Sequence, residues 1–90
     1  MNYKEITWSL RFCFRDGDEA YYDIIVDPCH AGMFDGQSAQ VGDLFHDIGK
    51  QEYHVTFCGF YRKNTENVVF STFETATRYI NRIVHEEANK

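Results

Sequence analysis

Apolar and polar residues alternate along the first part of the chain. Between Ile6 and Phe14 every even position carries a large apolar side chain, and most of the odd positions are polar or charged. Successive side chains of a strand point to opposite faces of a sheet. The pattern therefore predicts a strand with one buried face and one solvated face.

Residues 19–27 predict a second strand that forms a hairpin with the first. A three-residue loop, Asp16–Asp18, gives the better register, because it pairs apolar residues with each other and Arg11 with Asp23. A two-residue loop shifts the register by one residue and turns carboxylates onto the apolar face. The predicted pairs are Phe14 with Ala20, Phe12 with Tyr22, Leu10 with Ile24, Trp8 with Val26, and Arg15 with Glu19.

The middle of the chain predicts a loop and then a short helix. Pro28 ends the second strand, since proline cannot donate to a sheet ladder, and residues 29–37 form a glycine-containing loop. Ser38 caps a predicted helix that Gly49 ends. Its apolar positions follow the helical spacing i, i+3, i+4, i+7 and are Val41, Leu44, Phe45 and Ile48.

Residues 53–62 predict a third strand and residues 67–71 a fourth. A four-residue loop joins them and pairs Tyr61 with Val68 and Phe60 with Val69. A capping box that begins at Ser71 then starts a final amphipathic helix. The predicted fold is α+β with the order ββαββα, a single domain of 90 residues. It has one four-stranded antiparallel sheet and two helices packed on its apolar face.

The charge of the chain restricts its partners. The net charge is −5, and the excess of acidic residues lies in positions 1–50, whereas positions 51–90 are balanced. An acidic half repels phosphate backbones, because nucleic-acid binding depends on neutralisation by Lys and Arg. The sequence therefore predicts no direct binding of nucleic acid and favours a partner protein with a basic surface.

The polar face of the predicted sheet is the candidate partner-binding surface. Both predicted helices pack on the opposite face, so an aromatic patch remains there of the kind that marks association. The predicted partner-binding residues are Asp16, Asp18, Glu19, Tyr21, Asp23, His54, Thr56, Phe60 and Val69. Alternatively, the loop 29–37, with Met33 and Phe34, covers this face.

These features predict a small non-catalytic protein-interaction or regulatory module. Small acidic domains rich in aromatic residues are compatible with inhibitors encoded by phages or mobile elements, some of which imitate DNA phosphates with carboxylates. The predicted partner is a protein, either a nucleic-acid-binding protein or a second copy of the chain. No cofactor, no metal and no catalytic residue are predicted. Three cysteines without framework spacing, and no apolar run near about 20 residues, predict a reduced cytoplasmic protein without a membrane span.

Two residue pairs support an alternative function, a small metal- or thiol-dependent enzyme. The segment 44–50 contains adjacent His46 and Asp47 and resembles the His-Asp motif of the HD phosphohydrolase superfamily, which implies a divalent metal held on a helix. That family is all-helical and longer than this chain, which has no Asp after Asp47. Cys29 and His30 form the second pair, a candidate thiol nucleophile with a base. A third hypothesis is a small-molecule-binding domain with its pocket between the sheet and the loop 29–37.

Overall fold

A computed structural model describes residues 6–30 and 34–89 of the chain. One antiparallel sheet contains each strand beside the next along the sequence, in the order β1-β2-β3-β4-β5. The elements are β1 (Thr7–Asp16), β2 (Glu19–Asp27), β3 (Ala39–Asp47), β4 (Glu52–Phe57), β5 (Val68–Phe70) and helix α1 (Phe73–Ala88). The predicted α+β class with one antiparallel sheet is confirmed. Within the described residues the sheet has five strands and one helix follows it, in place of four strands and two helices.

The first hairpin has the predicted register over its first half. Arg11 lies opposite Asp23, and the apolar residues of β1 lie opposite the expected apolar residues of β2. These pairs are Trp8 with Val26, Leu10 with Ile24 and Phe12 with Tyr22. Alternation of apolar and polar residues is sufficient to set this part of the sheet, because a slip of one residue would expose the whole apolar set.

A β-bulge at Cys13 changes the register of the remaining hairpin. Cys13 has no opposite residue on β2, so Phe14 pairs with Tyr21. The turn contains two residues, Gly17 and Asp18, and Gly17 has a φ of +58°, which favours glycine. The predicted three-residue loop is wrong, and the two phenylalanines that flank the bulge point to opposite faces. The wrong predicted pairs are Phe14 with Ala20 and Arg15 with Glu19.

The segment that predicts a helix, residues 38–48, forms strand β3 instead. A second β-bulge explains the error: β2 pairs with Gly42 and then with Gln40, so Val41 is an extra residue in β3. Val41 and Leu44 are both buried, although three positions separate them. This i, i+3 spacing imitates the period of a helix.

Strand β4 ends at Phe57, well before the predicted end at Arg62. Beyond Phe57 the backbone turns, and the N–H groups of Tyr61 and Arg62 both donate to the carbonyl oxygen of Cys58. The turn directs the ring of Tyr61 into the core, where it is 7% exposed. The alternating pattern predicts that Tyr61 belongs to a strand. In the structure the turn, not a strand, buries its ring.

The short β5 pairs with the first half of β4, and His54 lies opposite Val69. Phe60 therefore lies outside the sheet, where it packs against Phe34 with ring centroids 5.3 Å apart. His54 and Val69 share one face, as predicted, but their register differs from the prediction. The wrong predicted pairs are Phe60 with Val69 and Tyr61 with Val68.

Helix α1 packs on one face of the sheet, which we call the inner face. Four residues of the predicted apolar stripe are buried, namely Ala76, Ile80, Ile83 and Val84, whereas Phe73, which the prediction also places on the stripe, is 50% exposed. The N-cap is Thr72, one residue after the predicted Ser71, and its hydroxyl accepts the N–H of Thr75 at 3.1 Å. The indole N–H of Trp8 donates to Asn81 at 3.0 Å and ties the helix to β1. In the part of the chain that the structure describes, no helix has the length and apolar character to span a membrane.

Candidate partner-binding face

The two faces of the sheet differ in burial. The inner face carries fully buried side chains such as Ile24, Leu44 and Val55. The opposite face, which we call the outer face, presents side chains in three rows, and none of these side chains is buried. Each row crosses β1 to β4 through direct cross-strand pairs. We name them the aromatic row, the acidic row and the polar row.

The aromatic row runs across the middle of the outer face. It consists of Phe14, Tyr21, Phe45 and His54. Phe14 stacks on Tyr21 and Tyr21 on Phe45, with centroids 4.5 and 5.0 Å apart. The ring of His54 is tilted against Phe45 at 5.1 Å, and Val69 of β5 lies beside His54. Because the rings face each other across the strands, they present their edges to solvent. Phe14, which ends the row at β1, is 54% exposed and keeps one ring face open.

The acidic row lies next to the aromatic row, toward the turn of the first hairpin. It consists of Asp16, Glu19, Asp47 and Glu52, paired directly across four strands. Like charges directly opposite each other destabilise a sheet, so we expect the carboxylates of this row to repel one another. Loss of surrounding water, then the hydrogen bond that Tyr21 donates to Glu19 at 3.1 Å, raise the pKa of the Tyr21 hydroxyl.

The polar row lies on the other side of the aromatic row. It consists of Arg11, Asp23, Asp43 and Thr56. Arg11 donates two hydrogen bonds to Oδ2 of Asp23, at 2.7 and 3.2 Å. The amide nitrogen of Gln40 bridges the two carboxylates, at 2.8 Å from Asp23 and 2.9 Å from Asp43. Among the described residues, Asp43 forms no ion pair.

The two carboxylates of the polar row have pKa values shifted in opposite directions. Hydrogen bonds from Arg11 and then from Cys13 hold the pKa of Asp23 below its usual range. Loss of surrounding water, followed by the negative charge of Asp23, raises the pKa of Asp43. A cation from outside the described chain would therefore favour the ionised form of Asp43 more than that of Asp23, because Asp23 is already paired with Arg11.

A chain of hydrogen bonds fixes the imidazole that ends the aromatic row. Thr56 donates to Asn67 at 3.2 Å, the amide of Asn67 donates to Nδ1 of His54 at 3.1 Å, and Nε2 of His54 donates to Glu52 at 3.2 Å. The hydrogen-bonding capacity of the ring is thus used within the protein, and His54 serves the row as a flat side chain.

An open groove of ≈ 650 Å³ lies between the aromatic and polar rows. A groove of this size accommodates a few side chains of a partner or a ligand of moderate size. The three rows carry six carboxylates and one guanidinium, that of Arg11, which gives a formal net charge of −5 when histidine is counted as uncharged. The whole chain has the same net charge, so its remaining charges cancel. The excess negative charge of the protein is therefore located on this face.

Seven of the nine predicted partner-binding residues lie on the outer face. They are Asp16, Glu19, Tyr21, Asp23, His54, Thr56 and Val69. Asp18 lies in the turn beyond the acidic row, and Phe60 lies outside the sheet against Phe34. Residues 31–33 of the loop 29–37, Met33 included, lie outside the described residues, and so does the covering role predicted for Met33. The outer face also contains residues that the prediction omits, namely Phe14, Phe45, Asp43, Asp47 and Glu52.

A repeated pattern in the sequence marks part of the omitted set. Residues 19–23 read Glu-x-Tyr-x-Asp, and residues 43–47 read Asp-x-Phe-x-Asp. On neighbouring antiparallel strands this pattern aligns acid with acid and ring with ring. The helix predicted over 38–48 conceals the repeat, because acids four positions apart are also an ordinary feature of a solvated helix face.

The residues of the enzymatic hypotheses have a different environment from the one those hypotheses require. His46 and Asp47 are consecutive in β3, so their side chains point to opposite faces, and His46 stacks on Tyr53 with centroids 4.1 Å apart. Cys29 is fully buried. Among the described residues, no group of three or more His, Cys, Asp and Glu side chains could hold a metal ion. The cavity beside His30 measures ≈ 30 Å³, which is room for about one water molecule.

Comparisons with protein families, with curated proteins and with solved structures find no match to this chain. No relative therefore suggests a partner, a ligand or an activity for it. Its function is inferred from the side chains of the outer face.

Proposed function

We propose that this protein is a non-catalytic interaction module that binds a basic segment of a partner protein on the outer face of its sheet. One observation supports this most directly. A row of aromatic rings in mutual contact, none of them buried among the described residues, lies between two rows that together carry six carboxylates. Protein interfaces commonly combine an aromatic centre with a charged, solvated rim in this way.

The two kinds of row have different tasks in this proposal. The ring edges, together with Val69, which is 47% exposed, provide apolar area that a partner can remove from water. The carboxylates select the partner and accelerate its approach, since electrostatic complementarity acts mainly on specificity and association rate. Repulsion within the acidic row is relieved when a cation binds, so part of the strain of the unbound sheet is recovered in the complex.

The sign of the charge determines the class of partner. A second copy of the chain would bring a second set of six carboxylates against this face, and a nucleic acid would bring phosphates. A protein segment rich in Arg and Lys has the complementary charge. Proteins that bind nucleic acids carry such segments, and they are the partner class we propose. Covering a basic segment of this kind would make the module an inhibitor or regulator of its partner.

A titration with short charged peptides tests this proposal. The probe is a synthetic peptide of about nine residues that alternates arginine and threonine, a length typical of a strand, and the comparison peptide alternates glutamate and threonine. NMR spectra of the isotope-labelled protein should show saturable shifts for residues of the three rows with the arginine peptide. The glutamate peptide should produce none.

Two matched double variants separate binding on this face from general attraction to an acidic protein. Glu19→Gln/Asp47→Asn removes two charges from the centre of the acidic row and should weaken binding of the arginine peptide roughly tenfold, as expected for the loss of two exposed ion pairs. Glu74→Gln/Glu86→Gln removes the same charge from exposed positions of α1 and should leave the affinity unchanged. No binding of the arginine peptide, or an equal loss in both variants, would overturn the proposal.

A further inference from the structure

Strand β1 forms one edge of the sheet, and within residues 6–30 and 34–89 no other strand pairs with its outer side. It contains ten residues, whereas β5 at the other edge contains three. An edge strand presents backbone N–H and C=O groups that can pair with another extended chain, and proteins use such edges to recognise peptides by strand addition. The longer edge therefore offers a backbone template next to the aromatic row.

The aromatic row reaches this edge at Phe14. One face of its ring stacks on Tyr21, with centroids 4.5 Å apart and planes inclined by 18°, and the ring is 54% exposed. Side chains directly opposite each other on neighbouring strands lie about 4.5–5.5 Å apart. A residue on a strand added beside β1 would thus meet the open face of Phe14 as Tyr21 meets the other face.

The neighbouring charge indicates which residue would occupy this position. Asp16 is the member of the acidic row on the same strand, so a cationic side chain is favoured beside it. Arginine combines a positive charge with a planar guanidinium group that stacks on aromatic faces. Lysine carries the charge but has no such planar group. The bulge at Cys13 creates this geometry, because it moves Phe14 to the outer face while Phe12 stays on the inner face.

We infer that the basic segment binds in extended form as an additional strand along β1, with an arginine side chain stacked on the open face of Phe14. This inference depends on the proposed function, since it specifies how the same partner is held. The backbone of β1 supplies the pairing, the open ring of Phe14 supplies the stacking surface, and the acidic row balances the charge of the arginine.

Backbone methylation of the probe tests strand addition. In a strand, the N–H groups of alternate residues point to the same side, so only one half of the amides of the arginine–threonine peptide can pair with β1. Two peptides are compared with the parent, one N-methylated at every arginine and the other at every threonine. Strand addition predicts that one of them loses at least about tenfold in affinity, a loss near 1.4 kcal/mol, while the other binds like the parent.

Two alanine variants of β1 test the contact with arginine. Phe14→Ala should weaken binding of the arginine–threonine peptide about threefold, consistent with an exposed cation–π contact, and should have less effect on a peptide with lysine in place of arginine. Phe12→Ala is the matched control, because Phe12 lies on the same strand with similar exposure, 57%, but on the inner face. It should leave both affinities unchanged.

The outcomes distinguish this inference from the proposed function. If both methylated peptides bind like the parent, or both lose binding equally, strand addition is overturned, although shifts confined to the three rows would still support binding on the outer face. Equal effects of Phe14→Ala and Phe12→Ala would likewise overturn the arginine contact alone. If the parent peptide does not bind at all, the proposed function and the inference both fail.

Discussion

Asp23 and Asp43 are directly opposite residues of the same type whose pKa values are shifted in opposite directions. Asp23 is held by Arg11, at 2.7 Å, and by Gln40. Asp43 accepts a hydrogen bond from the side-chain amide of Gln40 and faces the negative charge of Asp23. A protein retains an ionised group that lowers its stability mainly where that group serves function. Under the proposed function, we therefore expect a basic partner to act more on Asp43 than on Asp23.

The pH dependence of stability should reveal this contrast. The folded state raises the pKa of Asp43 above its usual 3.8, so Asp43 lowers stability as the pH rises through and above that range. The folded state lowers the pKa of Asp23 from the same value, so its contribution is present above 3.8 and is lost as the pH falls through the lowered pKa. At pH 7, Asp43→Asn should raise the Tm and Asp23→Asn should lower it.

Thermal unfolding of the two variants and the wild type, at neutral pH and at about pH 2, where carboxylates are protonated, measures these effects. The difference between the variants should be largest at neutral pH and should shrink in acid. The same Asp43→Asn variant should bind the arginine–threonine peptide more weakly. If Asp43→Asn neither raised the Tm nor weakened binding of the peptide, the role expected for Asp43 would be contradicted.

The contacts of a single residue can be predicted from the sequence where that residue belongs to a cross-strand pair of a regular hairpin. The contact between Arg11 and Asp23 follows from alternation in two strands joined by a short turn, and the structure contains it. Asp43 and Phe45 do not follow in this way, because their partners depend on the register between β2 and β3, which a long connection separates. Local sequence does not define that register.

At the level of elements, two β-bulges account for most of the differences from the predicted fold. Each bulge adds one residue and reverses the alternation beyond it. In β1 the bulge at Cys13 leaves the strand recognisable, because six alternating residues of the strand, 7–12, precede it. In β3 the bulge at Val41 comes near the start, so the apolar residues that follow fit a helical period equally well.

Gly42 distinguishes the strand from the predicted helix by the sign of one mutation. In the sheet, a Cβ at Gly42 would overlap the carbonyl oxygen of Thr56 and would lie 3.2 Å from the ring of Phe57. Gly42→Ala should therefore lower the free energy of unfolding by about 1–3 kcal/mol. In an exposed helix the same change would raise it by up to about 1 kcal/mol. Urea unfolding at constant m-value measures the difference.

Gly59→Ala provides the matched control for this measurement. Gly59 lies in the turn after β4, and the nearest atom to an added Cβ, in Thr65, is 3.9 Å away. The substitution should change the free energy of unfolding by less than about 0.5 kcal/mol, as surface substitutions usually do. If Gly42→Ala were as mild as Gly59→Ala, the close approach of β4 to Gly42 would be refuted.

For the whole molecule, the position of the charge is more informative than its sum. The sequence alone predicts an acidic protein that avoids nucleic acid, and it locates the excess in the first half. The concentration of that excess in rows across β1 to β4 depends on pairing between distant segments. It also includes Glu52, from the half whose charges balance. Composition predicts which classes of partner are disfavoured, and the fold shows where the excess charge lies.

This charge distribution leads to a prediction about self-association. The exposed aromatic row favours association of two copies, and the carboxylates on both sides oppose it. The wild type should therefore be monomeric at low ionic strength. The variant Asp16→Asn/Glu19→Gln/Asp47→Asn/Glu52→Gln removes the repulsion of the acidic row while it keeps side-chain shape, so it should form dimers. Size-exclusion chromatography with light scattering measures the mass of both proteins.

Salt and a second substitution identify the surface responsible. Added salt shortens the screening length from about 30 Å at 0.01 M to about 3 Å at 1 M, so it should promote association of the wild type and change the neutralised variant little. Phe14→Ala in the neutralised variant should restore the monomer if the aromatic row forms the contact. The contrary outcome is a wild type that is dimeric at low salt and becomes monomeric with Phe14→Ala. The aromatic contact would then outweigh the charge repulsion on which the choice of a basic partner depends, and the partner would be a second copy of the chain.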